Sequence, residues 1–386
     1  MAPTNVSAQV CASCHTSVAL NQKYGLPPGR FQSFADSYHG LASRAGSAEV
    51  ANCASCHGVH NIKPSSDPTS TIHKANLVAT CGKCHPGAGE NFTKGTVHVL
   101  MESKDEGILY WVRRIYIWLI VTIVGGMFLH NLFDFVKKSR IELAIRKGRI
   151  PAPHRPTGEY PRMSLNERTQ HWLLMTSFIV LVVTGFMLRF PDAWWVLLIR
   201  GLSEHAFELR GLLHRIAGVI MIGAGLYHAG YVAISRRGRR VLLDLLPSVQ
   251  DVRDAWRLTR YNLGLSAAKP QFHRFGYPEK AEYWALVWGI VVMAGTGFIL
   301  WFNNFFLNLL TKQGWDIARA IHYYEAILAT LSILVWHFYF VIFNPSVYPI
   351  NPAWWAGTIS AGQMEEEHPL ELAELLAAEA EKDAEA

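Results

Sequence analysis

The stretch LYWVRRIYIWLIVTIVGGMFLHNLFDFV, Leu109–Val136, decides the fold. It is apolar over enough residues for an α-helix to cross about 30 Å of hydrocarbon, and Tyr110 and Trp111 stand at its start, where interfacial aromatics collect. Four further apolar runs follow, at about 172–190, 211–234, 282–302 and 317–343. The chain is therefore predicted to be all-α, with five transmembrane helices of which the last four form a bundle of their own. With 50% hydrophobic residues and 13 Trp in 386 residues, a small polar head joined to a membrane bundle fits better than two soluble domains. The divisions expected are a head at 1–107, a first span and basic linker at 108–163, a four-helix module at 164–345 and an acidic tail at 346–386.

The head is rich in Gly, Ser, Asn and His, and holds all six cysteines in three copies of Cys-x-x-Cys-His: Cys11, Cys14 and His15; Cys53, Cys56 and His57; Cys81, Cys84 and His85. Two thiols so spaced can both form thioethers to one porphyrin, while the adjacent histidine reaches the iron. No cysteine is left over for a disulfide or a zinc site. Three covalent c-type haems are the expectation, in a head too short to build a large apolar core without them.

Four more histidines, His39, His60, His73 and His98, compete for the sixth positions of three irons. Apart from Met1 the first hundred residues hold no methionine, which nearly closes the methionine alternative and favours bis-histidine haems of low potential, suited to a donor such as menaquinol. His39 in Ser-Tyr-His-Gly and His98 in Gly-Thr-Val-His are flanked by small residues that let a haem approach. His73 precedes the third motif, and His60 follows His57 closely enough either to serve a neighbouring haem or merely to pack.

Charge placement sets the expected orientation. The net charge of +6 is concentrated in two loops, one with Lys137, Lys138, Arg140, Arg146, Lys147, Arg149 and Arg155, the other with Arg236, Arg237, Arg239 and Arg240. Both should be cytoplasmic, leaving the head and the loops near 191–210 and 303–316 on the periplasmic side of a bacterial inner membrane. Covalent haem attachment on the outer face points the same way. The opening Met1-Ala-Pro-Thr-Asn-Val lacks the features of an export signal, which is not taken as evidence for a cytosolic protein.

Within the spans, His214 and His228 are 14 residues apart and His322 and His337 are 15 apart. At 1.5 Å per residue this is about 21–23 Å along each helix, with both members on roughly one face. Two helices so marked can clamp two b-type haems, one above the other. His214 and His322 should hold the outer one. His337 is one ligand of the inner one, with His228, His171 or His130 as the other.

Several segments resemble a known family. Asn166-Glu-Arg-Thr-Gln-His171-Trp172, then Phe178 to Thr184-Gly185-Phe186, look like the opening helix of the cytochrome b subunits of formate dehydrogenases and nickel–iron hydrogenases. Leu213-His214-Arg215, Tyr261-Asn262-Leu263-Gly264 and Glu279-Lys280-Ala-Glu-Tyr283-Trp284 are similar to the same group, over about 165–345. The resemblance implies four histidines on two b haems and a quinone site beside the inner haem; it favours His171 as a ligand and makes His228 a neighbouring or quinone-site residue. The whole arrangement resembles the multihaem cytochrome b/c quinol oxidoreductases.

The chemistry then expected is electron transfer between the quinone pool and a periplasmic partner. Glu325, inside the fifth span, is a candidate proton carrier, with Glu282 and Lys280 weaker ones, and His171 stands beside the expected quinone site. One reading is quinol oxidation with outward flow; the other is a wiring subunit of a larger respiratory complex that takes electrons from a periplasmic hydrogenase or dehydrogenase to quinone. A sensor or a purely structural anchor would not require five haems. Residues 241–262 suggest an amphipathic helix at the membrane surface, and 364–386, rich in Glu and Ala, a solvated helix or loose tail. No Walker loop, dinucleotide-binding glycine pattern or nucleophile triad occurs, and the basic residues are explained by topology rather than by nucleic acid.

Overall fold

The computed structural model describes residues 7–47, 49–151, 156–203 and 205–385; Met1–Val6 and Arg155, on which parts of the export and linker expectations rest, lie outside them. Helix dominates. The head consists of short helices such as Ser7–His15, Tyr38–Arg44, Cys53–His57 and Leu77–Gly82. After it come α1 (Ile108–Arg146), the strand β1 (Glu159–Pro161), α2 (Leu165–Arg189), α3 (Trp194–Leu202) and α4 (Ala206–Ile234). Then follow α5 (Arg236–Asp244), α6 (Val249–Asn262), α7 (Tyr277–Trp301), α8 (Asn303–Ser332, continued by π-helical turns to Phe343), β2 (Thr358–Ser360), α9 (Ala361–Glu367) and α10 (Pro369–Glu385).

Five helices, α1, α2, α4, α7 and α8, are long and apolar enough to cross a membrane, which makes this a multi-pass membrane protein. Their Leu, Ile and Val side chains suit hydrocarbon, while the helical hydrogen-bond ladder satisfies the backbone groups of the helix interior. The helices begin a few residues before the apolar runs because polar caps extend them. At α2, Ser164 N–H donates to Glu167 Oε2 at 2.7 Å and Glu167 N–H donates to Ser164 Oγ at 3.3 Å, a capping box that starts the helix ahead of His171.

Two compact units are described separately. The first comprises Met1–Ile117, Phe178–Val219 and Met293–Tyr324. Here the head is tied to helix ends by polar contacts: Arg189 to Asp36 at 3.3 Å, Arg44 to Asp192 at 3.1 Å, and Arg319 Nη1 donating to the Asp36 carbonyl at 2.8 Å. The segments near 191–210 and 303–316, expected as loops, contain α3 and the first arm of α8. That arm carries Asn308, whose Oδ1 accepts from Gly89 N–H at 2.9 Å and whose Nδ2 donates to Gly87 O at 3.0 Å. At Thr311 the backbone turns left-handed (φ 64°, ψ 166°), a costly conformation for a β-branched residue, and the helix breaks there. Just beyond the break, Lys312 N–H donates to Lys94 O at 3.2 Å.

The second unit comprises Trp118–Ser177, Ile220–Val292 and Glu325–Ala386. Polar side chains of α1 secure it: Asn131 Nδ2 donates to Val335 O at 2.6 Å, and buried Asp134 accepts from Tyr339 OH at 2.6 Å and pairs with Lys138 at 2.8 Å. The amphipathic helix expected at 241–262 is two helices, because Pro247 interrupts the backbone donors and Ser248 with Asp251 forms a capping box that starts α6 afresh. The acidic tail is not loose over its first half. Its β2 pairs antiparallel with β1, Tyr160 opposite Ile359, and Ile359, Met364 and Leu372 form a small apolar core. Glu371 binds both Arg162 (2.5 Å) and Arg274 (2.8 Å). Tail acidity therefore neutralises fixed arginines as well as facing solvent.

Candidate functional site

Four pairs of histidines stand close together, their rings tilted by 35–61° to one another. The ring centres are 6.2 Å apart for His39 and His85, 6.3 Å for His57 and His98, 6.3 Å for His171 and His337, and 6.4 Å for His214 and His322. A metal–nitrogen bond of about 2 Å on either side of one metal, plus about 1 Å from nitrogen to ring centre, separates two trans imidazoles by about 6 Å. All four pairs meet that spacing. Among the described residues no group of three or more His, Cys, Asp or Glu side chains could hold a metal ion alone. Two axial histidines are what a haem needs, since its porphyrin supplies the other donors.

His214 on α4 and His322 on α8 are backed alike. Thr184 Oγ1 lies 2.8 Å from His214 Nδ1, and Thr296 Oγ1 lies 2.9 Å from His322 Nδ1. Because the Thr184 hydroxyl donates its proton to Val180 O, it can only accept from the imidazole; Nδ1 then carries the hydrogen and Nε2 presents a free lone pair. A glycine follows each threonine. A Cβ at Gly185 would lie 3.5 Å from the His214 ring and one at Gly297 3.3 Å from the His322 ring, so the glycines leave the imidazoles room. The sequence held a signal for this arrangement that spacing alone missed: Thr184-Gly-Phe-Met-Leu-Arg-Phe190 recurs as Thr296-Gly-Phe-Ile-Leu-Trp-Phe302.

The second helix-borne pair is built differently. His337, in the π-helical turn, donates from Nδ1 to Glu282 Oε1 at 2.7 Å. His171 leaves Nδ1 buried with no partner among the described residues, a cost of about 1–3 kcal/mol. The competing histidines are engaged at both nitrogens. His228 bonds Gln170 Oε1 (2.8 Å) and Tyr283 OH (3.0 Å), and His130 bonds Asn131 Oδ1 (3.1 Å) and, by a short contact, Tyr277 OH. Neither is paired with His337. Glu325 is buried on α8, with its oxygen facing the space that Gly289 leaves open.

In the head, His85 Nδ1 bonds Asn304 Oδ1 at 3.0 Å, and His98 Nδ1 bonds Ser33 Oγ at 2.8 Å. Burial, reinforced by neighbouring positive charge, lowers His39 and His98 to about 4, so both rings are neutral and able to ligate at physiological pH. His73 caps a short turn by accepting from Ala75 N–H at 3.3 Å, and His60 is exposed. Among the described residues no histidine ring is stacked against His15. None of the six cysteines pairs in a disulfide. Burial, with Cys11 beside it, pushes the Cys53 thiol up to about 11, and burial raises Cys56 and Cys81 also, the reverse of what a thiolate metal site requires.

Residues 162–349 match the family model described as prokaryotic cytochrome b561. Over 200 residues the chain is 23% identical to the formate dehydrogenase cytochrome b556(fdo) subunits of Escherichia coli K12 and O157:H7, a similarity covering 52% of this chain and 82% of each relative. The segment from α2 to the end of α8, which carries both helix-borne histidine pairs, is thus the part of the chain that is similar to cytochrome b.

Proposed function

We propose that the chain is a quinol-oxidising cytochrome of a bacterial inner membrane, drawing electrons from the menaquinol pool and passing them to a redox protein on the periplasmic side. The observation that carries this reading is the common 6.2–6.4 Å spacing of four histidine pairs, two on the long helices and two in the head. Haem, when bound, supplies the one-electron chemistry; the protein supplies ligands, burial and orientation.

On this reading His214 with His322, and His171 with His337, hold two b haems. The cysteines of the three Cys-x-x-Cys-His motifs attach three c haems, His15, His57 and His85 being their proximal ligands. His98 completes the site of His57 and His39 that of His85, while His60 and His73 compete for the site of His15. Thr184, Thr296 and Glu282 hold their histidines in the tautomer that leaves Nε2 free. Quinol gives up two electrons and two protons. His228, with Gln170 and Tyr283, offers hydrogen-bonding groups to a quinol oxygen, and buried Glu325 is placed to accept a proton.

The test is a haem count by pyridine haemochrome on the full-length protein, followed by anaerobic addition of a menaquinol analogue. Three c and two b haems, with b absorption reduced before c, support the reading; a count without c haem sinks the head assignment. The similarity to formate dehydrogenase subunits favours a second reading, in which the chain is the wiring subunit of a larger complex and electrons enter from a catalytic partner. That reading predicts no reduction by quinol, and reduction of the c haems by a co-purifying enzyme.

A further inference from the structure

The two helix-borne histidine pairs differ in the charge behind their ligands. At His214 and His322 the groups bonded to Nδ1 are neutral hydroxyls, and two arginines lie close to His214: Arg210, one turn before it, reaches Thr184 O at 3.4 Å, and Arg215 adjoins it and lies over the Trp301 ring. At His171 and His337 the group bonded to Nδ1 of His337 is a carboxylate, Glu282, at 2.7 Å. That length is characteristic of a charge-assisted bond. The one lysine nearby in sequence, Lys280, is bound to Asp251 at 3.0 Å and is not paired with Glu282.

We infer that Glu282 holds the reduction potential of the haem ligated by His171 and His337 below that of the haem ligated by His214 and His322. This rests on the b-haem reading above and deepens it. A carboxylate accepting the Nδ1 proton makes the imidazole a stronger donor, which favours the ferric state, and its negative charge opposes the electron that reduction adds. Arg210 and Arg215 act in the opposite sense, favouring the reduced state at His214 and His322. Reduction at either site adds one electron and makes or breaks no bond. The difference gives electron flow a direction: downhill from the carboxylate-backed pair to the hydroxyl-backed pair. Glu282 is a positioning residue whose charge is its contribution; it needs no contact with quinol.

The experiment is a redox titration of full-length, haem-loaded protein, following the b absorption bands and the low-spin EPR signals of wild type, Glu282→Gln, Glu282→Asp and Arg215→Gln. Gln keeps an acceptor near His337 without the charge, so Glu282→Gln should raise the potential of one b haem by at least tenfold in its one-electron equilibrium constant, or 59 mV, and leave the other unchanged. Glu282→Asp should stay near wild type. Arg215→Gln should lower the other b haem by a few-fold, which keeps the inference testable if Glu282→Gln does not assemble. Two b haems in Glu282→Gln, both titrating within twofold of wild type, would overturn the inference; so would an unchanged Arg215→Gln where Glu282→Gln does not assemble. A wild-type protein without two b haems would instead remove the reading on which it rests.

Discussion

In the four-helix module, ligand-bearing helices run 25 residues or more, as in α2 and α4, whereas the helices of the head run from four to nine residues. The module carries His214 and His337 on long helices, with a threonine or carboxylate partner supplied from a neighbouring span. The head has no such frame: among its described residues only Leu41, Ala42, Ala45 and Phe92 are buried apolar side chains. Its histidines are nevertheless paired at the same spacing as those of the module. With so little core of its own, the head draws its order from polar ties such as Asn308 and, on the proposed reading, from the haems its histidines and cysteines would hold.

The most severe way to break this comparison is to remove the covalent anchors. Replacing all six cysteines with serine should leave residues up to about 107 open to protease while the spans stay inserted, with both b haems retained; limited proteolysis with haem staining reads this directly. An intact head without haem c would show that its order has another source. Next in size, His214→Ala and His322→Ala should each remove the same single b haem, and His171→Ala and His337→Ala the other, whereas His228→Ala should keep both. Haemochrome counts decide, and two b haems in His171→Ala would return the assignment to His228.

Smaller effects sharpen the contrast. Met364, 1% exposed, lies in the core formed where the tail meets β1. Met364→Ala should cost about 2–5 kcal/mol locally, seen as faster amide exchange in 358–372 with unchanged haem content. Asn308→Ala removes the two side-chain bonds to Gly87 and Gly89 and should cost about 1–3 kcal/mol, seen as earlier proteolysis of the head on heating. Smallest, Thr184→Val should shift the potential of one b haem less than Glu282→Gln shifts the other, since a neutral acceptor is lost rather than a charge.

The five spans were legible because twenty-residue apolar runs have few alternative structures. The pair His214 and His322 was expected from helical spacing, whereas His39 and His98 were expected as sixth ligands without a named partner. The partner of His337 did not, because the choice among His171, His228 and His130 depends on which rings are already bonded, to Gln170 and Tyr283 in one case and to Asn131 and Tyr277 in another. Sequence carries little trace of such long-range contacts. The β1–β2 ribbon was equally hidden: three residues such as Glu159–Pro161 have no period to detect, and the glutamates of the tail read as solvated until Arg162 and Arg274 are found beside Glu371.

The break at Thr311 bears on how such a protein is made. It divides α8 into an arm that carries Asn304 and Asn308, the seats for the head, and a rod that carries His322. One residue of left-handed backbone lets the two be completed at different times. On the reading proposed above, the rod would enter the membrane and find its partner helices during synthesis, while the arm would wait to be engaged until the head is exported and its cysteines are joined to haem. The same residue that costs conformational energy in the finished protein would, on that reading, separate two assembly steps in different compartments.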